Sequence, residues 1–206
     1  MKELLLPVFA ISRHRMGIDG EGITTLVTTY GCPLKCSFCL NPESWDDNTK
    51  VINYTSEQLY KQLKVDHLYF LATGGGVTFG GGEPLLHPAF IQEFKQTCGS
   101  EWTITVETSL NVDWQAIEMV LDAVDYFIID IKDMNPKLYQ SYTGNDNIKV
   151  IANLSKILER IDPERITVKV PFIPGYNTES DMDYSIEALK KMGVTNINRF
   201  NYVVRT

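Results

Sequence analysis

No apolar run in this 206-residue chain approaches the ~18 residues that a membrane-spanning helix needs. The apolar segment Leu4–Ala10 is short and lacks both a basic flank and a small-residue cleavage site, so it does not read as a signal peptide. Lysine and arginine number 19 against 26 acidic residues, a net charge of −7, and no basic cluster exceeds a few residues. That leaves little to grip a phosphodiester backbone, and a nucleic-acid partner is not expected. Tandem repeats, low-complexity tracts and long linkers are also missing. What remains is one globular domain over residues 1–206, with residues 1–23 as an N-terminal extension leading into the first strand. With 44% hydrophobic residues it can bury a sizeable core. A cytoplasmic, reducing location is expected, with no membrane contact.

Histidine and cysteine are scarce, at three and four residues. The histidines His14, His67 and His87 show no ligand-like spacing to the cysteines. Three of the four cysteines, however, fall in Gly31-Cys32-Pro33-Leu34-Lys35-Cys36-Ser37-Phe38-Cys39. Structural zinc prefers four ligands, often as two cysteine pairs, and no second pair follows. Iron–sulfur cubanes are held by thiolates, normally four. Three leave one iron without a protein ligand, where a small molecule can coordinate and receive an electron. Cys98 sits alone on a predicted helix face with Ile91 and Phe94 and reads as core packing. A non-enzymatic module, with zinc or a cluster serving structure or sensing, is the competing reading from a different class.

Strand-like and helix-like segments alternate along the chain. Strands are expected at 24–30, 76–79, 102–108, 126–131, 166–170 and 196–204, from β-branched and apolar runs. Helices are expected from a Thr55/Gln58 capping box to about Tyr69, over 88–98, from Asp113, over 148–160 and over 180–192. Six βα units in series build a parallel sheet. A complete eight-unit barrel takes about 250 residues, so the expected fold is α/β, a partial (β/α)6 TIM-like barrel. Chemistry in such folds gathers at the C-terminal strand ends. The cysteine loop, Gly80-Gly81-Gly82-Glu83-Pro84, Glu107-Thr108 and Asp130-Ile131-Lys132 all fall there. The glycine run could be only a tight turn. Its amides could also bind an anionic or zwitterionic group, with Glu83 accepting from an ammonium.

C-x3-C-x2-C with an aromatic residue before the last cysteine, followed by a strand and G-G-E-P, resembles the radical S-adenosylmethionine (SAM) superfamily. The resemblance implies a [4Fe-4S] cluster whose open iron is chelated by SAM, which is cleaved to a 5′-deoxyadenosyl radical. Asp19-Gly20-Glu21-Gly22-Ile23, Gly74–Thr78, Asp130–Asn135 and Phe172-Ile173-Pro174-Gly175 further resemble the pyruvate formate-lyase activating enzyme family. Those enzymes abstract hydrogen from a backbone glycine of a partner glycyl-radical enzyme. On this resemblance Cys32, Cys36 and Cys39 hold the cluster and Phe38 lies by the adenine. Gly81, Gly82 and Glu83 meet the methionine amino end. Glu107, Thr108 and Asp130 form a site for a monovalent cation, Lys132 lies near the SAM carboxylate and ribose, and Lys169 stands where arginine is usual. Asp19 lies near the glycine-bearing peptide. A reduced flavodoxin or ferredoxin is the implied electron donor, and a monomer the implied state. Glu107 replaces the usual aspartate, valine follows Tyr202 where a histidine is common, and no ferredoxin-like cysteine insert follows Cys39. These departures keep a second substrate class open, a ribosomal peptide or a small metabolite.

Overall fold

The computed structural model describes residues 3–202. One eight-stranded sheet runs through it. Its strands are β1 (Leu6–Met16), β2 (Ile23–Thr29), β3 (Ile52–Tyr54), β4 (Gly76–Gly81), β5 (Thr103–Thr108), β6 (Tyr126–Asp130), β7 (Ile166–Phe172) and β8 (Ile197–Asn201), in the order β3-β1-β2-β4-β5-β6-β7-β8. The six strands expected from the sequence are the six parallel ones, and β3 and β8 form the sheet's edges. Among the described residues the sheet does not close on itself, as an incomplete barrel requires.

Within the N-terminal extension, Leu6–Met16 form a strand the sequence did not announce, β1, pairing antiparallel with both β2 and β3. Two register shifts and the polar run Ser12-Arg13-His14-Arg15 break the period-two alternation that would have marked it as a strand.

Among the described residues seven α-helices pack outside the sheet: α1 (Ser56–Leu63), α2 (His67–Thr73), α3 (Pro88–Cys98), α4 (Trp114–Val120), α5 (Pro136–Thr143), α6 (Ile148–Arg160) and α7 (Glu179–Lys191). The Thr55/Gln58 capping box is present, with both reciprocal bonds made. The helix it starts stops at Leu63 rather than near Tyr69, and a 3-10 turn over Lys64–Asp66 redirects the chain into α2. Helix α5 was not expected, although Asn135 caps it, Pro136 fills its first position and Gly144 ends it.

Alternation along the strands divides the two faces. On β5, Ile104 and Val106 are fully buried under the helices, while Thr105 and Glu107 point to the concave side. A cavity of about 1080 Å³ on that side is lined from both ends of the sheet, by Phe9 and Arg15 of β1, Glu107 of β5, Lys169 of β7 and Asn198 of β8.

Asp66, in the turn between α1 and α2, ties the sheet to the helices. Its buried carboxylate accepts from Arg13 Nε at 2.9 Å and Thr25 Oγ1 at 2.9 Å and lies 3.0 Å from His14 Nε2. Burial alone would raise this carboxyl, but the bonds from Arg13 and Thr25 and the Arg13 charge outweigh it and hold it below its ordinary value. A carboxyl lowered in the folded state stabilises above its unfolded value, about pH 3.9, and loses that contribution as pH falls through the folded value. Asp66→Asn is therefore expected to lower the urea midpoint at neutral pH and to flatten its decline below about pH 4. Urea titrations at several pH values check this.

Candidate metal centre and cofactor cavity

Strand β2 delivers the cysteine loop, and the loop after β4 holds it in place. Gly31 turns the chain with φ +101° and donates its N–H to Ser44 O at 2.7 Å. Gly82 N donates to Thr29 O at 3.0 Å and Glu83 N to Gly31 O at 2.8 Å. A Cβ on Gly82 would lie 2.3 Å from Gly31 O, and one on Gly81 would lie 2.6 Å from Thr28 Cβ. These glycines are thus demanded by the approach of one protein loop to another. Helix α5 clamps the loop from the opposite side, with Ser37 N to Tyr142 O at 3.0 Å and Tyr142 OH to Phe38 O at 3.0 Å.

Cys32, Cys36 and Cys39 line a cavity of about 150 Å³ together with Gly81, Gly82, Glu107, Thr108, Asp130, Lys132, Lys169 and Tyr202. All of these but Tyr202 are residues that the sequence singled out. Burial pushes the Cys32 thiol up to about 12 and the Cys36 thiol up to about 11. Among the described residues no three His, Cys, Asp or Glu side chains converge as a single metal ion requires. A multi-iron cluster wants its thiolates spread around it, and three sulfur donors lining one cavity without converging on a point suit one.

Lys132 is 8% exposed and lies beside that wall. Its ammonium pairs with Asp130, reaches Tyr202 OH at 3.5 Å, and lies over the rings of Tyr142 at 5.9 Å and Tyr202 at 5.7 Å. Burial disfavours the charge, but Asp130 foremost, with Tyr202 and Cys36, outweighs it and holds Lys132 protonated. Among the described residues the second oxygen of Asp130 is buried with no hydrogen-bond partner, an acceptor without a donor in a residue that lines the cavity. A zwitterionic ligand carrying both a carboxylate and an ammonium meets both needs.

Glu83 is 1% exposed, and four donors already use its carboxylate. Thr108 Oγ1 and Leu85 N bond one oxygen at 2.7 and 3.2 Å, and Ser109 Oγ and Ser109 N bond the other at 2.7 and 3.0 Å. It fastens the loops after β4 and β5 together and also lines the cysteine cavity, where the sequence placed it. Burial outweighs those bonds and holds its carboxyl above the ordinary value.

Phe38 packs edge-to-face on Tyr176, centroids 5.4 Å apart, and lines a neighbouring outer cavity with Cys36, Cys39, Leu40 and Tyr202. Asp19 is buried, ion-paired with Arg15, and lines the wide cavity. Glu107 takes Lys169 Nζ at 2.6 Å. Sequence reasoning missed Ser109, which completes the shell of Glu83, and Tyr142 and Tyr202, which enclose Lys132. Ser109 directly follows Thr108, a detectable hint. The tyrosines carried no signal, because α5 and the residue that follows β8 meet Lys132 only in the fold.

A family model for the radical SAM superfamily matches residues 26–189. The chain belongs to the radical SAM superfamily. Among curated proteins this radical SAM chain is similar to the (2S)-3-sulfopropanediol dehydratase activating enzyme of Klebsiella oxytoca, 29% identical, with 88% of this chain and 77% of the relative covered. It is also similar to the pyruvate formate-lyase-activating enzyme of Clostridium pasteurianum, 34% identical, with 66% of this chain and 60% of the relative covered. The Klebsiella alignment spans 248 positions against 88% of 206 residues, so that relative carries dozens of residues with no counterpart here. Among solved structures, Streptococcus suis SuiB bound to S-adenosylmethionine superposes with a TM-score of 0.67 at 15% identity, covering 88% of this chain and 41% of that one. The anSMEcpe enzyme with bound AdoMet gives 0.61 at 14% identity, covering 84% and 49%. This chain spans less than half the length of those two, and the likeness is one of fold.

Proposed function

We propose that this radical SAM chain activates a glycyl-radical enzyme. The carrying observation is the grouping of Cys32, Cys36 and Cys39 with Lys132 and the unpartnered Asp130 oxygen on one cavity, in a chain whose relatives named above are activating enzymes. When bound, the [4Fe-4S] cluster and SAM supply a 5′-deoxyadenosyl radical that takes a hydrogen atom from a backbone glycine of the partner.

The chain's own residues bind and orient. Cys32, Cys36 and Cys39 would hold the cluster, and their half-buried thiols would give up protons as it is loaded. Lys132 would take the methionine carboxylate, while Asp130 and the backbone of Gly81 and Gly82 would take its ammonium. Phe38 and Tyr202 flank the adenine from the outer cavity. Glu83, with Thr108, keeps the loops from parting and water from entering. The wide cavity receives the glycine-bearing segment, with Asp19 at its wall. Reduced flavodoxin or ferredoxin supplies the electron, and the chain works as a cytoplasmic monomer. Among the described residues no helix is long and apolar enough to cross a membrane. The alternative of a peptide or small-metabolite substrate rests on the sequence departures at Glu107 and after Tyr202, and the relatives named above are activating enzymes.

The test is anaerobic reconstitution and reduction, then addition of SAM and of the glycyl-radical enzyme encoded nearest this gene. Expected are 5′-deoxyadenosine and a persistent glycyl doublet in the electron paramagnetic resonance (EPR) spectrum. 5′-Deoxyadenosine without a doublet redirects the chemistry to another substrate. Neither product, from protein with an intact cluster, contradicts the proposal.

A further inference from the structure

The three side chains that the resemblance assigns to a monovalent cation are all engaged by the protein. Glu107 is bonded by Lys169 Nζ at 2.6 Å. Asp130 is paired with Lys132. The Thr108 hydroxyl donates to Glu83 at 2.7 Å and accepts from Leu110 N at 2.9 Å. One carboxylate oxygen of Asp130 is left over, whereas a hard cation gathers several oxygens. Two carboxylates and two ammoniums already cancel, and a third cation beside two ammoniums in a poorly solvated cavity is repelled.

Lys169 is placed for the role of resident cation. It stands in register with Asp130 on the neighbouring strand, and its side chain crosses β6 to reach Glu107 on β5. It lines both the cysteine cavity and the wide cavity, so its charge sits at their common wall. An ammonium has three donors, and only the bond to Glu107 is made among the described residues. Lysine is a compact point charge, as an alkali ion is, where arginine would fork onto the carboxylate. Burial disfavours its charge, but Glu107, Asp130 and Asp19 outweigh it.

We infer that the Lys169 ammonium takes the place of a bound alkali ion, so that this chain binds SAM without a monovalent cation. The inference rests on the SAM site proposed above, and its test separates the two.

SAM is titrated calorimetrically into the anaerobically reconstituted, unreduced protein in sodium, potassium or choline chloride. Equal ionic strength fixes screening, so only specific ion binding can differ. For the unaltered chain the three affinities agree. Lys169→Met leaves Glu107 uncompensated, and its affinity in choline falls about tenfold or more. Sodium or potassium recovers much of that loss by entering beside Glu107. Lys169→Arg keeps a charge there and stays indifferent to the salt. Three results overturn the inference: an unaltered chain that loses affinity in choline, a Lys169→Met variant as tight in choline as the parent, or a Lys169→Met loss that neither alkali ion repairs. Absence of SAM binding in every salt, with iron content intact, overturns the SAM site itself.

Discussion

Replacing Cys32, Cys36 or Cys39 singly by serine is expected to abolish 5′-deoxyadenosine formation, a loss of about a thousandfold or more. Each thiol lines the same small cavity, and among the described residues the fourth cysteine, Cys98, is buried in the core cluster away from it. A serine hydroxyl is a harder donor that stays protonated and does not replace thiolate on iron. Iron and sulfide analysis together with chromatography of the product checks the effect. Cys98→Ser is the control. Its sulfur lies 3.7 Å from the carbonyls of Lys95 and Gly99, so a modest stability change with full iron loading is expected.

The second large effect concerns Glu83. Among the described residues, Glu83→Ala removes the acceptor of Ser109 N–H and Leu85 N–H and the acceptor to which the Thr108 and Ser109 hydroxyls donate. Hydrogen bonds to a charged group contribute about 1.5–3 kcal/mol each and do not add, so a loss of about 3–5 kcal/mol in unfolding free energy is expected. Glu83→Gln keeps the shape but turns an amide N–H toward donors at Ser109, for a loss of about 2 kcal/mol. Urea unfolding of the metal-free chain measures both. If Glu83 acted chiefly by touching SAM, Glu83→Gln would weaken SAM binding and leave unfolding of the metal-free chain unchanged.

Local signals revealed the scaffold and long-range ones did not. The cysteine spacing, the Thr55/Gln58 box and the β-branched run of β2 depend on neighbours a few residues apart, and each is found where expected. Strand β1 escaped notice because its pairing with β2 absorbs two register shifts, so no simple alternation survives in the sequence. The break after Leu63 has no proline or glycine to announce it, and it is anchored from afar by Asp66 binding β1 and β2.

The site shows the same division. Which residues gather around the cysteines followed from their places at strand ends. What each carboxylate faces did not. Glu83 meets Ser109, 26 positions on, and Glu107 meets Lys169, 62 positions on. A motif fixes the type of residue, while its partner is set by the packing of strands that only the fold makes adjacent. Val203 and Val204, where a histidine is common, lie outside the described residues.

The most direct measurement is the EPR spectrum of the reduced, reconstituted protein before and after SAM is added. Three thiolates around a [4Fe-4S] cluster leave one iron for SAM, so the spectrum should shift on addition and 5′-deoxyadenosine should accumulate as the signal decays. A fully loaded cluster whose spectrum ignores SAM, in protein that yields no 5′-deoxyadenosine, would contradict an iron left open by Cys32, Cys36 and Cys39.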